Sequence, residues 1–352
     1  MNKKPQNSQT RELSRRGFLG NVAGGFGALG AGTALMAGVT SCTHAELPSA
    51  KQSGIRVGTR NPAGGTDYSA PPGFDPRSPE DNLRMWLRLI GYRESGEEHA
   101  GWYKGRCHAI LDDMRPGIPL FDYEGFGTSR IIDNGDGTYQ NLHREVSIYR
   151  DIRSGEILET WKNPLTGKTV EVYPTHNDPV NSVYKPVFEQ RFGKNAEVQS
   201  FPFVLPWDFI GNEAITSFDA NFSWASPYSK EEFPDEYFGP TVRASEWWQV
   251  RADADKLFDP DYDGYIQSRG AWTRVGPWQA WMHMGELAGD MVWRTQTASL
   301  RSVEDVPADL YAYVKRHYPR HLSAPTEWEE PNETSHLNYM HDKARGSKYD
   351  VD

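Results

Sequence analysis

The chain has 352 residues, a formal net charge of −10 at pH 7 and two cysteines. Its mean hydropathy is −0.71, and 12% of its residues are aromatic, including 12 tryptophans and 17 tyrosines. This composition excludes an intrinsically disordered chain, and the negative charge argues against nucleic acid or anionic lipid as a partner. The aromatic residues can instead fill a core or line a pocket.

The N-terminal segment predicts export. Residues 14–19, SRRGFL, contain the paired Arg15 and Arg16 of a twin-arginine motif. An uncharged Gly/Ala-rich stretch follows over residues 20–39 and is too polar for a permanent membrane anchor. An ordinary buried Gly/Ala helix is the alternative. Export by this route delivers a protein that has already folded, often around a cofactor or ligand, and makes the twin-arginine export machinery a predicted partner.

The end of this segment predicts a lipid anchor. Residues 39–42, VTSC, fit a lipobox, in which Cys42 is acylated and becomes the mature N-terminus. Ordinary cleavage after Ala45 is the alternative. With Cys42 lipidated, Cys107 is the other thiol, so we expect no disulfide and assign Cys107 to the core. We therefore predict a signal peptide over residues 1–42, a periplasmic location and membrane contact only through the anchor.

A flexible tether, rich in Ser, Pro, Gly and Thr, is predicted over residues 43–77 and leads into an amphipathic helix. Ser78 is its predicted N-cap, Pro79 its first residue and Gly91 its C-terminal stop. Its apolar face follows the helical period at Leu83, Trp86, Leu87 and Ile90.

From residue 102 onward the apolar period changes to two, which predicts strands. Short turns between the first strands make them antiparallel neighbours in a meander. Residues 276–286 fit either a helix or a strand, and a closing helix begins at residues 305–307. The ten predicted strands cover residues 102–111, 120–132, 138–150, 156–161, 169–173, 201–209, 214–225, 246–252, 265–273 and 289–299.

These elements predict a mainly β (β-rich α+β) single domain over residues 78–325. Its expected core is a large antiparallel sheet, curled or barrel-like and lipocalin-like in general shape, with an N-terminal and a C-terminal covering helix. Residues 326–352 are expected to form a polar, irregular tail.

Several short motifs resemble the bacterial family known as domain of unknown function 1838. The resemblance covers about residues 74–325, and many members of that family carry twin-arginine signals. It implies no assigned activity. The matching motifs are WYKG at 102–105, EGFG at 124–127, REV at 144–146, TWKNP at 160–164, TG at 166–167, NDPVN at 177–181, Trp278, WM at 281–282, Gly285, Pro307, Leu310, Tyr318-Pro319 and Ala324-Pro325.

Two pairs of polar residues are candidates for chemistry. His143 and Glu145 lie two apart on one predicted strand, so both point to one face and could bind a metal. His176 and Asp178 form a second pair, and the turn registry places Tyr149 near them as a proton donor. The same registry puts His143 roughly 26 Å from His176 at about 3.3 Å per residue, which disfavours a joint metal site. Alternatively, Asp178 caps the backbone and a carbonyl satisfies His176.

Residues 259–264, DPDYDG, match the first half of an EF-hand loop, with Asp259, Asp261 and Asp263 at the ligand positions. The position of the bidentate Glu is Gly270, and no flanking helix is evident. The alternatives are a calcium-stabilised loop outside an EF-hand and an acidic surface turn.

Eight tryptophans lie between residues 207 and 293. Alternation along strands turns many of them inward, either as a plain aromatic core or as the lining of a ligand cavity. For the cavity we select as ligand-contacting residues Trp207, Trp224, Trp272, Trp278, Trp281 and Arg269.

Three functions follow from these observations. The first is an exported protein that binds a small apolar or aromatic molecule in an aromatic-lined cavity. The second is an enzyme, a lyase, isomerase or hydrolase, that uses the acid–base residues of the same cavity. The third is a structural or assembly lipoprotein. The sequence identifies no cofactor beyond calcium as a candidate.

Overall fold

The computed structural model of the chain describes residues 71–113, 116–191, 198–330, 332 and 334–349. The predicted signal peptide, with Cys42, and most of the predicted tether lie outside the described residues.

Fourteen strands are present in the described residues. They are β1 (Glu98–Ile110), β2 (Ile118–Asp133), β3 (Tyr139–Arg150), β4 (Thr160–Lys162), β5 (Thr169–Glu171), β6 (Thr175–Asn177), β7 (Ser182–Tyr184), β8 (Val187–Arg191), β9 (Val198–Pro202), β10 (Trp207–Ile210), β11 (Glu213–Ala225), β12 (Thr241–Asp253), β13 (Arg269–Gly276) and β14 (Asp290–Leu300).

Ten of these strands form one antiparallel sheet. Its spatial order is β10-β11-β12-β13-β14-β1-β2-β3-β6, and β7 also pairs with β3. The predicted mainly β, antiparallel class is therefore confirmed. The predicted barrel-like closure is wrong, because β10 at one end does not pair with β6 or β7 at the other.

Four α-helices accompany the sheet in the described residues: α1 (Pro79–Leu89), α2 (Ala254–Phe258), α3 (Ala308–His317) and α4 (Ser335–Arg345). The predicted first and closing helices correspond to α1 and α3. The ambiguous segment 276–286 contains a short 3₁₀ turn at Ala280–Met282. The expectation of an irregular tail was wrong over α4, where Thr334 caps a regular helix. No helix in the described ranges is long and apolar enough to span a bilayer.

Strand β3, next to the edge strand β6, is buried on both faces of the sheet. The outer face of the sheet, which we define by Phe126, Val146 and Ile148, packs beneath Leu310 and Val314 of α3. The inner face belongs to the larger core cluster and is defined here by Tyr103, Tyr123 and Tyr149. Cys107 also lies in this larger cluster and is fully buried, which confirms its assignment to the core.

The predicted meander ends after β3. β4 and β5 form a separate two-stranded sheet, because Asn163 in their turn is buried and donates to the Met282 carbonyl at 3.0 Å. The chain then returns, and β6 pairs with β3 so that His176 lies opposite Val146. The predicted 26 Å separation of His143 and His176 was therefore wrong, since both belong to adjacent strands.

Helix α4 covers the free edge of β6. Asn338 Nδ2 donates to the His176 carbonyl at 2.7 Å and to Asn177 Oδ1 at 2.8 Å. The Asn338 side chain thus makes a hydrogen bond that a further strand would otherwise make. Helix α4 covers the edge of β6, which could otherwise pair with another chain. The C-terminal helix is therefore part of the folded domain.

At the other end of the sheet, Asn82 joins α1 to the segment that leads into β10. The side chain is fully buried, and its Oδ1 accepts from Leu205 N at 3.0 Å and from Trp207 Nε1 at 2.8 Å. Its Nδ2 donates to the carbonyls of Pro76 and Ser78. One amide therefore forms four hydrogen bonds, and the two donors to its oxygen, Leu205 N and Trp207 Nε1, are buried.

We predict that Asn82→Ala lowers the free energy of unfolding by about 3 kcal/mol, because an unsatisfied buried donor costs roughly 1–3 kcal/mol and two are left behind. Urea denaturation followed by tryptophan fluorescence measures the change. The matched control is Asn221→Ala at an exposed position of β11, which is expected to cost less than about 0.5 kcal/mol. Equal losses in the two variants would contradict the assigned role of Asn82.

Candidate functional site

A layer of aromatic rings crosses the inner face from β3 to β12. The ring centroids of Tyr149 and Tyr123 lie 5.4 Å apart, those of Tyr123 and Trp272 6.5 Å, and those of Trp272 and Trp248 5.6 Å. Tyr149 and Tyr123 lie opposite each other on β3 and β2, as do Trp272 and Trp248 on β13 and β12. The contact of Tyr123 with Trp272 spans β1 and β14, where Gly105 and Thr295 hold the same register position. The layer therefore follows from alternation in the sheet.

An ion pair is buried within this layer. Glu246 and Arg274 lie opposite each other on β12 and β13, and both side chains are 4% exposed. Arg274 Nη1 lies 3.3 Å from Glu246 Oε1, while the indole N–H groups of Trp248 and Trp272 donate to Oε2 at 3.3 and 3.2 Å. Burial raises the pKa of Glu246 and lowers the pKa of Arg274 to about 10, against the attraction of the partner charge.

A second buried carboxylate, Glu145 of β3, lies on the same face. Its Oε1 accepts from Asn177 Nδ2 at 2.6 Å, so the pairing of β6 with β3 fixes it in place. Burial raises the pKa of Tyr123 well above its ordinary value, and the charge of Glu145 adds to this effect. Ser147 donates to the Tyr123 hydroxyl at 2.9 Å.

These groups share one electrostatic environment. Burial lowers the pKa of Arg274, and the negative charges of Glu246 and Glu145 act in the opposite direction. We call Glu145, Ser147, Tyr123, Glu246 and Arg274 the inner-face polar cluster. A guanidinium, two carboxylates and a phenol in such buried surroundings can hold a charged ligand or transfer a proton.

The structure pairs His176 with a residue that the sequence analysis assigned to the tail. His176 Nε2 lies 2.8 Å from Asp342 Oδ2 on α4, and Arg345 Nη2 binds the other oxygen of Asp342 at 2.8 Å. The imidazole stacks on the Tyr318 ring at 5.0 Å. Asp342 lies far from His176 in the sequence, so no local pattern around His176 predicts this pairing.

The predicted partners of His176 lie elsewhere. Asp178 accepts from Arg144 Nε at 2.6 Å and forms a further ion pair with Arg320 at 3.4 Å. Tyr149 belongs to the inner-face core, whereas His176 stacks on Tyr318 in the outer-face cluster. The structure therefore does not bring His176, Asp178 and Tyr149 together, because the registry that suggested this trio was wrong.

His143 and Glu145 do share a face, as predicted. His143 Nδ1 lies 2.6 Å from Ser129 Oγ, and burial lowers the pKa of His143 to about 4. Gly127 leaves room for the ring, since a Cβ there would lie 2.3 Å from His143 Cε1. Among the described residues, no group of three or more His, Cys, Asp and Glu side chains is placed to hold a metal.

The predicted aromatic residues are distributed over several sites. Trp272 belongs to the inner-face layer, and Trp281 contacts it through Tyr149 at 5.0 Å. Trp207 packs against Phe258 at 5.5 Å, and Trp278 donates to the Leu287 carbonyl.

Two of the predicted ligand-contacting residues lie away from the inner-face polar cluster. Trp224 is half-buried beside His336 at 6.2 Å. Arg269 is exposed and lies three residues from Trp272, so alternation along β13 places it on the outer face, opposite Trp272. Arg274, two residues from Trp272, is the arginine that alternation places on the inner face.

The predicted calcium loop closes around an arginine. The guanidinium of Arg88 donates to the carbonyls of Lys256, Asp259 and Tyr262 at 2.9, 2.9 and 2.8 Å. Asp259 Oδ1 accepts from the Asp261 backbone N–H at 2.9 Å, as in an Asx turn. Arg88 therefore accounts for the closure of this loop, and the three aspartates, including Asp263, are not grouped around a common point.

We predict that the protein loses stability as the pH falls from about 6.5 toward 4. Burial lowers the pKa of His99 to about 3, of His143 to about 4 and of His336 to about 3. The unfolded chain, with histidine pKa values near 6.5, then binds more protons, so each histidine contributes up to about 1.4 kcal/mol per pH unit. In His143→Asn, the free energy of unfolding should therefore depend less steeply on pH, as measured by denaturation at several pH values.

The control for this measurement is His341→Asn, since His341 is exposed on α4. It is expected to keep the slope of the original protein. A His143→Asn slope that matches this control would contradict the account of a neutral buried imidazole.

Comparisons with known proteins place the chain in a family. The search of curated proteins gives no match. A solved structure titled "Lipid-protein interactions in lipovitellin" is 10% identical and covers 59% of this chain and 25% of that chain, with a TM-score of 0.24. This chain thus spans about a quarter of that protein's length. A family model described as protein of unknown function (DUF1838) matches residues 96–343, from before β1 into α4. The chain belongs to this family.

Proposed function

We propose that the protein binds a small aromatic molecule with a polar or negatively charged group at the inner-face polar cluster. The observation that carries this proposal is the buried pair of Glu246 and Arg274 within the aromatic layer. Ligand sites are mostly apolar, with a few fixed polar groups that orient the ligand. The rings of Trp248 and Trp272 supply the apolar part, and the ion pair supplies the polar part.

Stability alone is a weak reason for such a pair. Each buried ion loses several kcal/mol of hydration, and apolar replacements of similar volume are often as stable or more stable. Glu246 and Arg274 are nevertheless held by two indole donors and by a cation–π contact of Arg274 with Trp293 at 5.2 Å. Perturbed ionisable groups of this kind are concentrated at functional sites.

Acid–base catalysis at the same place is the second candidate. It is favoured by Glu145, whose carboxylate is fixed by Asn177 and acts on the pKa of Tyr123. Glu145 would serve as the base, Tyr123 as the proton donor and Arg274 as the group that stabilises a developing negative charge. These roles replace those first considered for His176, Asp178 and Tyr149.

Export and anchoring belong to the same proposal. Arg15 and Arg16 support transport by the twin-arginine route, and Cys42 supports attachment to the membrane through a lipid. A protein that crosses the membrane folded can carry a bound molecule with it, which agrees with a ligand held in a dry site.

We predict that the protein binds phenylacetate and that Trp272→Phe weakens this binding about tenfold, or about 1.4 kcal/mol, through loss of the indole N–H on Glu246. Titration calorimetry measures the affinity, and native mass spectrometry of protein from the export compartment detects a retained molecule. Trp247→Phe is the matched control, because Trp247 is 48% exposed on the outer face.

The binding proposal fails on a specific result. Protein that carries no molecule and whose melting temperature is unchanged by aromatic carboxylates would contradict it. Binding that is unchanged in Trp272→Phe would place the site elsewhere.

A separate prediction concerns export. Replacing both Arg15 and Arg16 by Lys should leave the precursor in the cytoplasm, because the paired guanidinium groups identify the route. Cys42→Ala should release the exported protein from the membrane fraction. Cell fractionation with immunoblotting measures both. Unchanged export of the double variant, or unchanged membrane attachment of Cys42→Ala, would contradict the respective assignment.

A further inference from the structure

A cavity lies between α2, the segment before β13 and the end of β14, and none of its lining residues belongs to the inner-face polar cluster. Its volume is about 440 Å³, within the range of roughly 300–1,000 Å³ that is usual for small-molecule sites. Ile266, which is buried, and Leu300 form its apolar surface. It can therefore accommodate a molecule of the size of a substituted benzene ring.

Two cations line this cavity. Lys256 and Arg301 both have exposed side chains, and neither forms an ion pair with a carboxylate in the described part of the chain. The Arg301 guanidinium lies over the Tyr265 ring, 5.7 Å from its centroid. This stacking orients the guanidinium and leaves its N–H groups available to a ligand.

The acidic residues in the wall have other partners. Asp253 Oδ1 accepts from the Lys256 backbone N–H at 3.0 Å as the N-cap of α2. Asp305 Oδ2 accepts from the Ser302 backbone N–H at 3.3 Å in a capping box. These hydrogen bonds direct Asp253 Oδ1 and Asp305 Oδ2 at backbone donors, which leaves the N–H groups of Lys256 and Arg301 available to an anion.

The wall is also held in place before any ligand arrives. Arg88 binds three carbonyls between Lys256 and Tyr262, and the Tyr262 hydroxyl donates to the Tyr265 carbonyl at 3.3 Å. The loop over residues 259–264, which resembles part of an EF-hand, thus contributes to one wall of the cavity. The guanidinium of Arg88 holds this loop closed. A preorganised wall reduces the conformational entropy lost on binding.

We propose that this cavity binds a small organic anion, a carboxylate or phosphate monoester with an apolar body, through Lys256 and Arg301. The anionic group lies between the two cations, and the apolar body contacts Ile266 and Leu300. This site is independent of the function proposed for the inner face.

Titration calorimetry tests this site with phenyl phosphate, phenylacetate and the uncharged benzyl alcohol, on mature protein that carries Trp272→Phe so that binding at the inner face is weakened. The anions are expected to bind and benzyl alcohol to bind at least about tenfold more weakly, because benzyl alcohol cannot form charge-assisted hydrogen bonds with Lys256 and Arg301. Tighter binding of one anion identifies the preferred anionic group.

The variants Lys256→Gln and Arg301→Gln should each weaken anion binding about tenfold. The matched control Arg243→Gln, at an exposed position of β12, should leave it unchanged. Trp272→Phe separates the two sites, because it affects only the inner face. Anions that bind no better than benzyl alcohol, or cavity variants that behave like the Arg243 control, would overturn this proposal.

Discussion

Glu246 and Arg274 lie side by side in an aromatic core, and the arrangement of the inner face follows from keeping them there. Neither charge can be buried alone, so each depends on the register of β12 with β13 that places it opposite the other. The indoles of Trp248 and Trp272 complete the hydrogen bonds of the carboxylate. Packing, polarity and the proposed binding site are therefore consequences of one pairing between two strands.

The other half of the inner face depends on the return of the chain to β3. Pairing of β6 with β3 brings Asn177 to Glu145, and α4 then closes the edge through Asn338. A carboxylate in the core and a helix at the C-terminus are thus linked through two amides. The candidate chemistry of the site requires residues separated by nearly two hundred positions in the sequence.

The sequence could predict those parts of the fold that local alternation determines. β1 to β3 and β11 to β14 have long alternating segments, and their strands were found within a few residues. The predictions that were wrong depend on long-range contacts. Asn163 is buried against Met282, and the β4–β5 hairpin lies apart from the main sheet. Asp342, on a helix with a polar sequence, binds His176. Strand parity alone would have selected Arg274 instead of Arg269.

The central claim is that the Glu246–Arg274 pair is present for binding and not for stability. A double-mutant cycle tests it directly, with unfolding free energies of the original protein, Arg274→Met, Glu246→Leu and the double variant. The account predicts that Arg274→Met loses about 3–5 kcal/mol of unfolding free energy, because Glu246 remains buried without its partner. It also predicts that the double variant regains most of this loss but no longer shows the part of phenylacetate binding that Trp272→Phe weakens. A double variant as unstable as Arg274→Met, or one that keeps this Trp272-dependent binding, would contradict the account.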